Sequence, residues 1–229
     1  MNAAVIVAAG KGTRMGPDVD KLFLEVMGRP VVAHTWQRFD QARCIEQIVL
    51  VIRDGMQPEF SRMTAQYHFS KPHCIVVGGA ERQDSVWNGL AALPAEAEVV
   101  AIQDAARPCV TEKLIQATID AALETGAAVA AQPVVDTIKE SSDGRLISRT
   151  MPRAHLWAVQ TPQTFRVDII RRAIQTARDQ GLSLTDDTAA CELIGQPVRL
   201  VSGDCPNPKV TVPADLDYVE SLLHRLSRH

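Results

Sequence analysis

The chain opens Met1-Asn2-Ala3-Ala4-Val5-Ile6-Val7-Ala8-Ala9-Gly10-Lys11-Gly12-Thr13-Arg14-Met15-Gly16 and continues through Pro17 and Asp18 to Lys21. Ala3 to Ala8 is a short, unbroken apolar run, the pattern of a strand buried on both faces, as in a parallel sheet covered by helices. The strand passes directly into a glycine-rich loop. Small residues let backbone N–H groups come close to a ligand, and glycine allows the positive φ angles that a phosphate cradle needs. Arg14 brings a planar fork for phosphate oxygens and Lys21 a compact point charge. A P-loop is excluded, because Gly16 is followed by Pro17 and not by Lys-Ser/Thr. The dinucleotide fingerprint fits poorly: three residues separate Gly12 from Gly16 where that pattern has two, and a cation sits in the turn. Alone, the loop reads equally as a strand-to-helix turn with two solvated cations.

Further along, Gln47 to Ile52, Cys74 to Val77, Val99 to Gln103, Ala127 to Ala131 and Val198 to Val201 repeat the buried-strand pattern. Helical patterns alternate with them. Leu114, Ile115, Thr118, Ile119, Ala122 and Leu123 mark a helix face ended by Gly126, and Leu216, Val219, Leu222, Leu223 and Leu226 mark a last helix opened by Pro213. The alternation predicts an α/β fold on a largely parallel, mixed central sheet. One segment breaks the rhythm: Asp136 to Arg149 alternates polar and apolar residues around Asp143-Gly144, a hairpin signal. Such an arm either folds over the active face or packs on a second subunit, and dimerisation is the expectation. With no repeat or linker, residues 1–229 read as one domain carrying a β-arm at about 134–157.

A hydrophobic fraction of 46% with 4% aromatic residues implies a core of Ala, Val, Leu and Ile. The net charge of −3 gives no overall attraction to nucleic acid or to an anionic membrane, so any polyanion must meet a local cluster of bases. Cys44, Cys74, Cys109, Cys191 and Cys205 are scattered and form no CxxC pair, and read as reduced thiols. The apolar start is too short to span a bilayer and lacks a basic leader, which makes a cytoplasmic location the expectation.

Several ordered motifs go beyond pattern: AAGKGTRMG with Lys21, GGAERQDSVWNGL at 78–90, DAARP at 104–108, DTIK at 136–139, TPQ at 161–163, LTDD at 184–187 and KVTVPADL at 209–216. With these the chain resembles the 2-C-methyl-D-erythritol 4-phosphate cytidylyltransferases over nearly its whole length. The resemblance implies a three-layer, Rossmann-like nucleotidyltransferase fold. It also implies transfer of CMP from CTP to a sugar-alcohol phosphate with release of pyrophosphate, a step toward isoprenoid precursors.

By that resemblance Ala8, Ala9, Gly10, Gly12 and Ala105 lie against the nucleotide, Arg14 and Lys21 on its triphosphate, and Gly79 and Ser85 at the cytosine and ribose end. Asp104, at the carboxyl edge of its strand, becomes the ligand of Mg²⁺ or another divalent cation; a lone aspartate is enough when phosphates and water supply the rest. Arg107, Thr137, Arg153, Thr185 and Lys209 fall to the second substrate, with Arg153 and Lys209 meeting its phosphate. Thr137 and Arg107 are candidates to serve a neighbouring subunit. Leu22 and Ala80 depart from the family's usual glutamine and acidic residue. Asp186, Asp187, Asp215 and Asp217 are read as structural.

The attacking group, a phosphate monoester, already carries about −1.5 to −2 charge, so no protein nucleophile or base is required. No Ser/His/Asp ordering is present and the six histidines form no ligand pair. The task left for the protein is to bring two polyanions together around bases and a divalent cation. Transfer to another polyol phosphate such as ribitol 5-phosphate, or CTP binding without turnover in a regulatory protein, are the alternatives.

Overall fold

The computed structural model describes residues 1–10 and 20–227. Seven strands form the central sheet: β1 (Asn2–Ala8), β4 (Gln47–Ile52), β5 (His73–Val77), β6 (Val99–Asp104), β7 (Ala127–Pro133), β10 (Trp157–Arg166) and β11 (Arg199–Val201), in the order β11-β7-β10-β6-β1-β4-β5. The pairs β1–β4, β1–β6, β4–β5 and β7–β11 are parallel, whereas β10 runs antiparallel to both β6 and β7. The six apolar runs of the sequence are the six mutually parallel strands, but only β1, β4, β6 and β7 have the expected burial; β5 and β11, at the two sheet edges, are half-buried and largely exposed respectively.

Strand β10 was not legible. Its sequence, WAVQTPQTFR, mixes polar and apolar residues and carries Pro162, which cannot donate to a ladder and argues against a central strand. The strand accommodates it by a register shift between Val159 and Gln163 along β7, with the Thr161–Pro162 bond cis.

Alternate residues of the strands feed two cores, as the period of two requires. Ala4, Ile6, Ile48, Leu50 and Ala101 face α1 (Val31–Gln41), α2 (Gln57–Tyr67), α4 (Glu112–Thr125) and α7 (Asp215–Leu226) through Trp36, Phe60, Ile115 and Leu222. Ala3, Val5, Val49, Val51 and Ile102 face α3 (Arg82–Ala91), α5 (Val167–Asp179) and α6 (Asp187–Leu193) through Val86, Leu90, Ile170 and Cys191. The result is three layers. Helix α4 is opened by Thr111, whose hydroxyl accepts from Leu114 N–H, and closed by Gly126 in the left-handed region at φ 89°. Of its expected core face only Leu123 departs, being 42% exposed near the helix end. In α7, Val219, Leu222 and Leu223 are buried, with Leu216 and Leu226 packed at the margin.

The 134–156 segment leaves β7 and returns into β10, extending that antiparallel pair through a Val134 N–H to Leu156 C=O bond of 3.1 Å. Within it β8 (Lys139–Glu140) pairs with β9 (Arg149–Thr150). The paired strands are only two residues each, shorter than the alternating pattern implies. The tip is a broad loop organised by Asp143, whose carboxylate accepts from Arg145 N–H, Leu146 N–H and the Ser141 hydroxyl. Val135, Leu146 and Ile147 stand 79%, 75% and 65% exposed, so the arm's apolar residues cover nothing in their own chain.

Candidate active site

The parallel strands β1, β4, β5 and β6 end on one edge of the sheet, the place where open α/β sheets bind ligands. The residues after them enclose a cleft of about 720 Å³. Ala9 and Gly10 follow β1, Arg53 and Asp54 follow β4, and Gly78, Gly79 and Ala80 follow β5. Asp104 and Ala105 close the floor, and Lys21 and Lys209 reach in from separate stretches of chain.

The turn from β5 into α3 explains its glycines sterically. A Cβ on Gly78 would lie 2.5 Å from Ala9 Cβ and 2.7 Å from Ser85 Oγ, and one on Gly79 would lie 2.2 Å from Asp84 Cβ. Ser85, almost fully buried, accepts from Gly79 N–H and donates to Glu81 C=O, each at 3.1 Å, and so fixes the turn. Helix α3 is capped by Glu81 and Asp84, which form a reciprocal capping box.

Asp104 is the electrostatic centre. Lys209 Nζ donates to Oδ2 at 2.8 Å, Arg107 Nε stands 3.6 Å from the same oxygen, and Arg82 Nε stands 3.6 Å from Oδ1. Burial pushes this carboxyl up, but Lys209 and Arg82, then Arg107, outweigh it and hold it below the usual carboxylate range. Arg82 grips the buried Asp187 with two bonds of 2.9 and 2.7 Å. Burial opposes the charge of Arg82, Asp187 and Asp104 overcome that, and the guanidinium lies above its ordinary pKa. Lys21, mostly buried, donates to Val210 C=O at 3.1 Å, which ties the first loop to the KVTVP segment. Asp215 clamps that segment from α7, accepting from Thr211 N–H, the Thr211 hydroxyl and Val212 N–H.

The TPQ and LTDD motifs interlock around this centre. Thr161 Oγ1 accepts from Asp104 N–H at 3.1 Å, and Thr161 C=O accepts from Asn207 Nδ2 at 2.8 Å. Gln163 donates to Asp186 Oδ2 at 3.0 Å and accepts from Asp187 N–H at 2.9 Å. Asp186 caps α6 through Ala189 N–H. These motifs thus hold the ends of β6 and β10 and the 207–209 segment in register.

Of the residues singled out by sequence, Ala9, Gly10, Lys21, Gly79, Ser85, Asp104, Ala105 and Lys209 line one cleft. Ala8 is the last residue of β1, buried and outside the lining. Arg107 stands beside Asp104 but does not line the cleft, and it donates to Asn207 C=O at 2.7 Å. Thr185 is exposed before α6, and Thr137 and Arg153 are exposed on the arm, where Arg153 donates to Val135 C=O at 2.6 Å. Within this chain the arm brings neither of them to Asp104. Gly12 and Arg14 lie outside the described residues.

Sequence reasoning missed Arg53, Asp54, Arg82 and the pairing role of Asp187. Arg53 and Asp54 follow a buried strand on the ligand edge, the criterion that singled out Asp104, and were findable by it. Arg82 sits in the first turn of α3, where the helix dipole disfavours a cation; its partner Asp187 is 105 positions away, so the pair was not.

The chain resembles known proteins throughout. It is 42% identical over 223 residues to the 2-C-methyl-D-erythritol 4-phosphate cytidylyltransferase of Alkaliphilus oremlandii, covering 96% of this chain and 94% of that one. To the enzyme of the same name from Bacillus licheniformis it is 41% identical, covering 100% and 99%. Among solved structures it overlays on 4-diphosphocytidyl-2C-methyl-D-erythritol synthase from Anaerococcus prevotii with a TM-score of 0.86 at 29% identity, covering 98% and 96%. On the Thermus thermophilus cytidylyltransferase the TM-score is 0.80 at 33% identity, covering 98% and 100%. The model of the family IspD, 2-C-methyl-D-erythritol 4-phosphate cytidylyltransferase, matches residues 2–225, and the chain belongs to that family.

Proposed function

We propose that this protein transfers CMP from CTP to 2-C-methyl-D-erythritol 4-phosphate, giving 4-diphosphocytidyl-2-C-methyl-D-erythritol and pyrophosphate. The observation that carries the reading is that Lys21, Lys209 and Asp104 line one cleft at the sheet's ligand edge, with Lys209 bonded to Asp104. An oxygen of the alcohol's phosphate attacks the α-phosphorus of CTP as the α–β bridging P–O bond breaks. The bonding pair leaves on pyrophosphate, and no proton need be taken from the monoester dianion. Lys21, with Arg14 of the first loop, stabilises the charge that grows on the α-phosphate, and Lys209 turns from Asp104 toward the incoming phosphate. Ala9, Gly10, Gly79 and Ala105 offer backbone groups to the nucleotide, and the Ser85 hydroxyl holds the Gly79 turn against its base.

Among the described residues no group of three or more Asp, Glu, His or Cys could hold a metal. Asp104 fits a magnesium site of the open type: its carboxyl is kept ionised and faces the cleft, where triphosphate oxygens and water would supply the remaining ligands. When bound, the ion neutralises phosphate charge and orients the leaving group.

No arm residue lines the cleft, and the arm's exposed apolar side chains need a cover. We place that cover on a second copy of the chain, with Thr137 and Arg153 meeting the alcohol phosphate in the neighbour's site. Among the described residues no helix is long and apolar enough to cross a membrane, and the proposed location is the cytoplasm. Pyrophosphate release from CTP and Mg²⁺, mixed in turn with 2-C-methyl-D-erythritol 4-phosphate, ribitol 5-phosphate or neither, tests the activity. Release with the first acceptor alone is expected. Release with ribitol 5-phosphate instead, or with neither acceptor, overturns it. Lys21→Ala should lower kcat about 10²–10³-fold, as for a lost oxyanion donor.

A further inference from the structure

On the far side of the α1 layer the short strands β2 (Glu25–Val26) and β3 (Arg29–Pro30) form a tight hairpin over α1, turned by Met27 and Gly28 at φ 51° and 71°. Between this hairpin, α1 and the end of α7 lies a recess of about 400 Å³, within the size range of small-molecule sites, roughly 300–1,000 Å³. Its polar lining is Arg29, His34, Gln37, Arg38, Gln41 and Ser227, with no carboxylate side chain among the described residues.

The cations are set in different ways. Arg29 is fixed: its guanidinium donates to Gln37 and lies 5.2 Å over the Tyr67 ring. His34 Nε2 is 2.7 Å from Val26 C=O, which orients the ring. Burial, Arg29 and Arg38 all depress its pKa, although the bond to Val26 opposes them. Arg38 is half-buried, and its guanidinium has no hydrogen-bond or ion-pair partner among the described residues. Its place in the last turn of α1 accounts for a cation there through the helix dipole, but leaves its guanidinium donors unused. Charges of one sign gathered in a partly desolvated recess repel, and an oxyanion removes that repulsion while filling guanidinium donors.

We propose that this recess is an anion site, separate from the active cleft, that takes a phosphate-class oxyanion between Arg29 and Arg38. Gln37 and Gln41 supply amide donors at its rim, and the ring of His34 lies beneath the bound anion. The inference stands on this geometry alone and does not depend on the activity proposed above.

The His34 ring is a local reporter. The full chain, labelled with ¹³C in its histidine rings and with His34 assigned through His34→Gln, is titrated by NMR with inorganic phosphate and, separately, with pyrophosphate, at fixed pH and ionic strength. The same titrations are run on Lys21→Ala/Lys209→Ala, which lacks two cleft cations, on Arg38→Met and on Arg38→Lys. A saturable His34 shift with either anion, kept in the cleft variant, weakened at least tenfold by Arg38→Met and less by Arg38→Lys, supports the site. The ranking of the two anions distinguishes a single phosphate from a diphosphate as occupant. A drift that never saturates, a response undiminished by Arg38→Met in a chain of unchanged melting temperature, or loss of the response in the cleft variant overturns it.

Discussion

Lys209 reaches Asp104 across 105 positions of chain, and that one bond of 2.8 Å ties the KVTVP segment to the end of β6. It also sets a pH dependence. The folded pKa of Asp104 is depressed, so the stability it contributes is complete above the ordinary carboxylate value of about 4 and is lost as pH falls through the lower folded value. Lys209→Ala leaves the same burial opposed by Arg82 and Arg107 alone. The carboxyl pKa rises, and the acid-unfolding midpoint followed by tryptophan fluorescence moves to higher pH. An unmoved midpoint would show that Lys209 is not the main partner of Asp104. The Arg82–Asp187 pair makes a second prediction at this scale. Asp187→Asn leaves a half-desolvated guanidinium without its buried counter-charge, which costs about 3–5 kcal/mol in urea unfolding. Arg82→Met/Asp187→Leu should recover most of that loss, because it removes both charges together; equal instability of the single and double variants would contradict the account. Lys21, Asp104, Gly79, Ser85 and Lys209 were legible because motif order carries them. Arg82 was not, because the value of a cation depends on a partner that only tertiary structure supplies.

Strands β1, β4, β6 and β7 were legible because burial on both faces writes itself as an unbroken apolar run, and the edge strands β5 and β11 carry the same run with only partial burial. Strand β10 carries a different demand. Gln160, Thr161 and Gln163 must face Asn207, Asp104 and Asp186, and those polar duties erase the pattern by which a strand is recognised. The same logic separates the arm from the core, since Val135, Leu146 and Ile147 keep apolar side chains where nothing of their own chain covers them. If a second copy does, then Leu146→Asp/Ile147→Asp should convert a species of twice 25.0 kDa into one of 25.0 kDa by light scattering. The melting temperature should scarcely change at high dilution, where the native dimer itself dissociates. Activity should fall with the dimer, because Thr137 and Arg153 ride on the arm. A monomeric variant with full activity would detach the arm from the site, and a native chain that is already monomeric would leave its apolar face unexplained by dimerisation.

At the scale of the molecule, a chain of net charge −3 must hold a triphosphate. It does so by setting Lys21, Arg82 and Lys209 in the cleft at the edge where β1, β4, β5 and β6 end, with Arg107 behind Asp104 as a further partner of that carboxylate. Before substrate arrives Arg82, Arg107 and Lys209 share Asp104 as their common counter-ion. CTP with Mg²⁺ would replace that sharing with phosphate oxygens and a metal on the freed carboxylate, and the cleft should then be held from three sides of the sheet edge. Ligand that binds only the folded state at 100 times its Kd adds about 2.7 kcal/mol. For a domain of this length 1 kcal/mol moves the melting temperature by about 2–4 °C, so saturating CTP with Mg²⁺ should raise it by about 5–11 °C. The shift should shrink on chelation of the metal and shrink to the same extent in Asp104→Asn, where chelation should have little further effect. Equal shifts with and without the metal, in native chain and variant alike, would place CTP on the cations alone and leave Asp104 as their structural counter-charge.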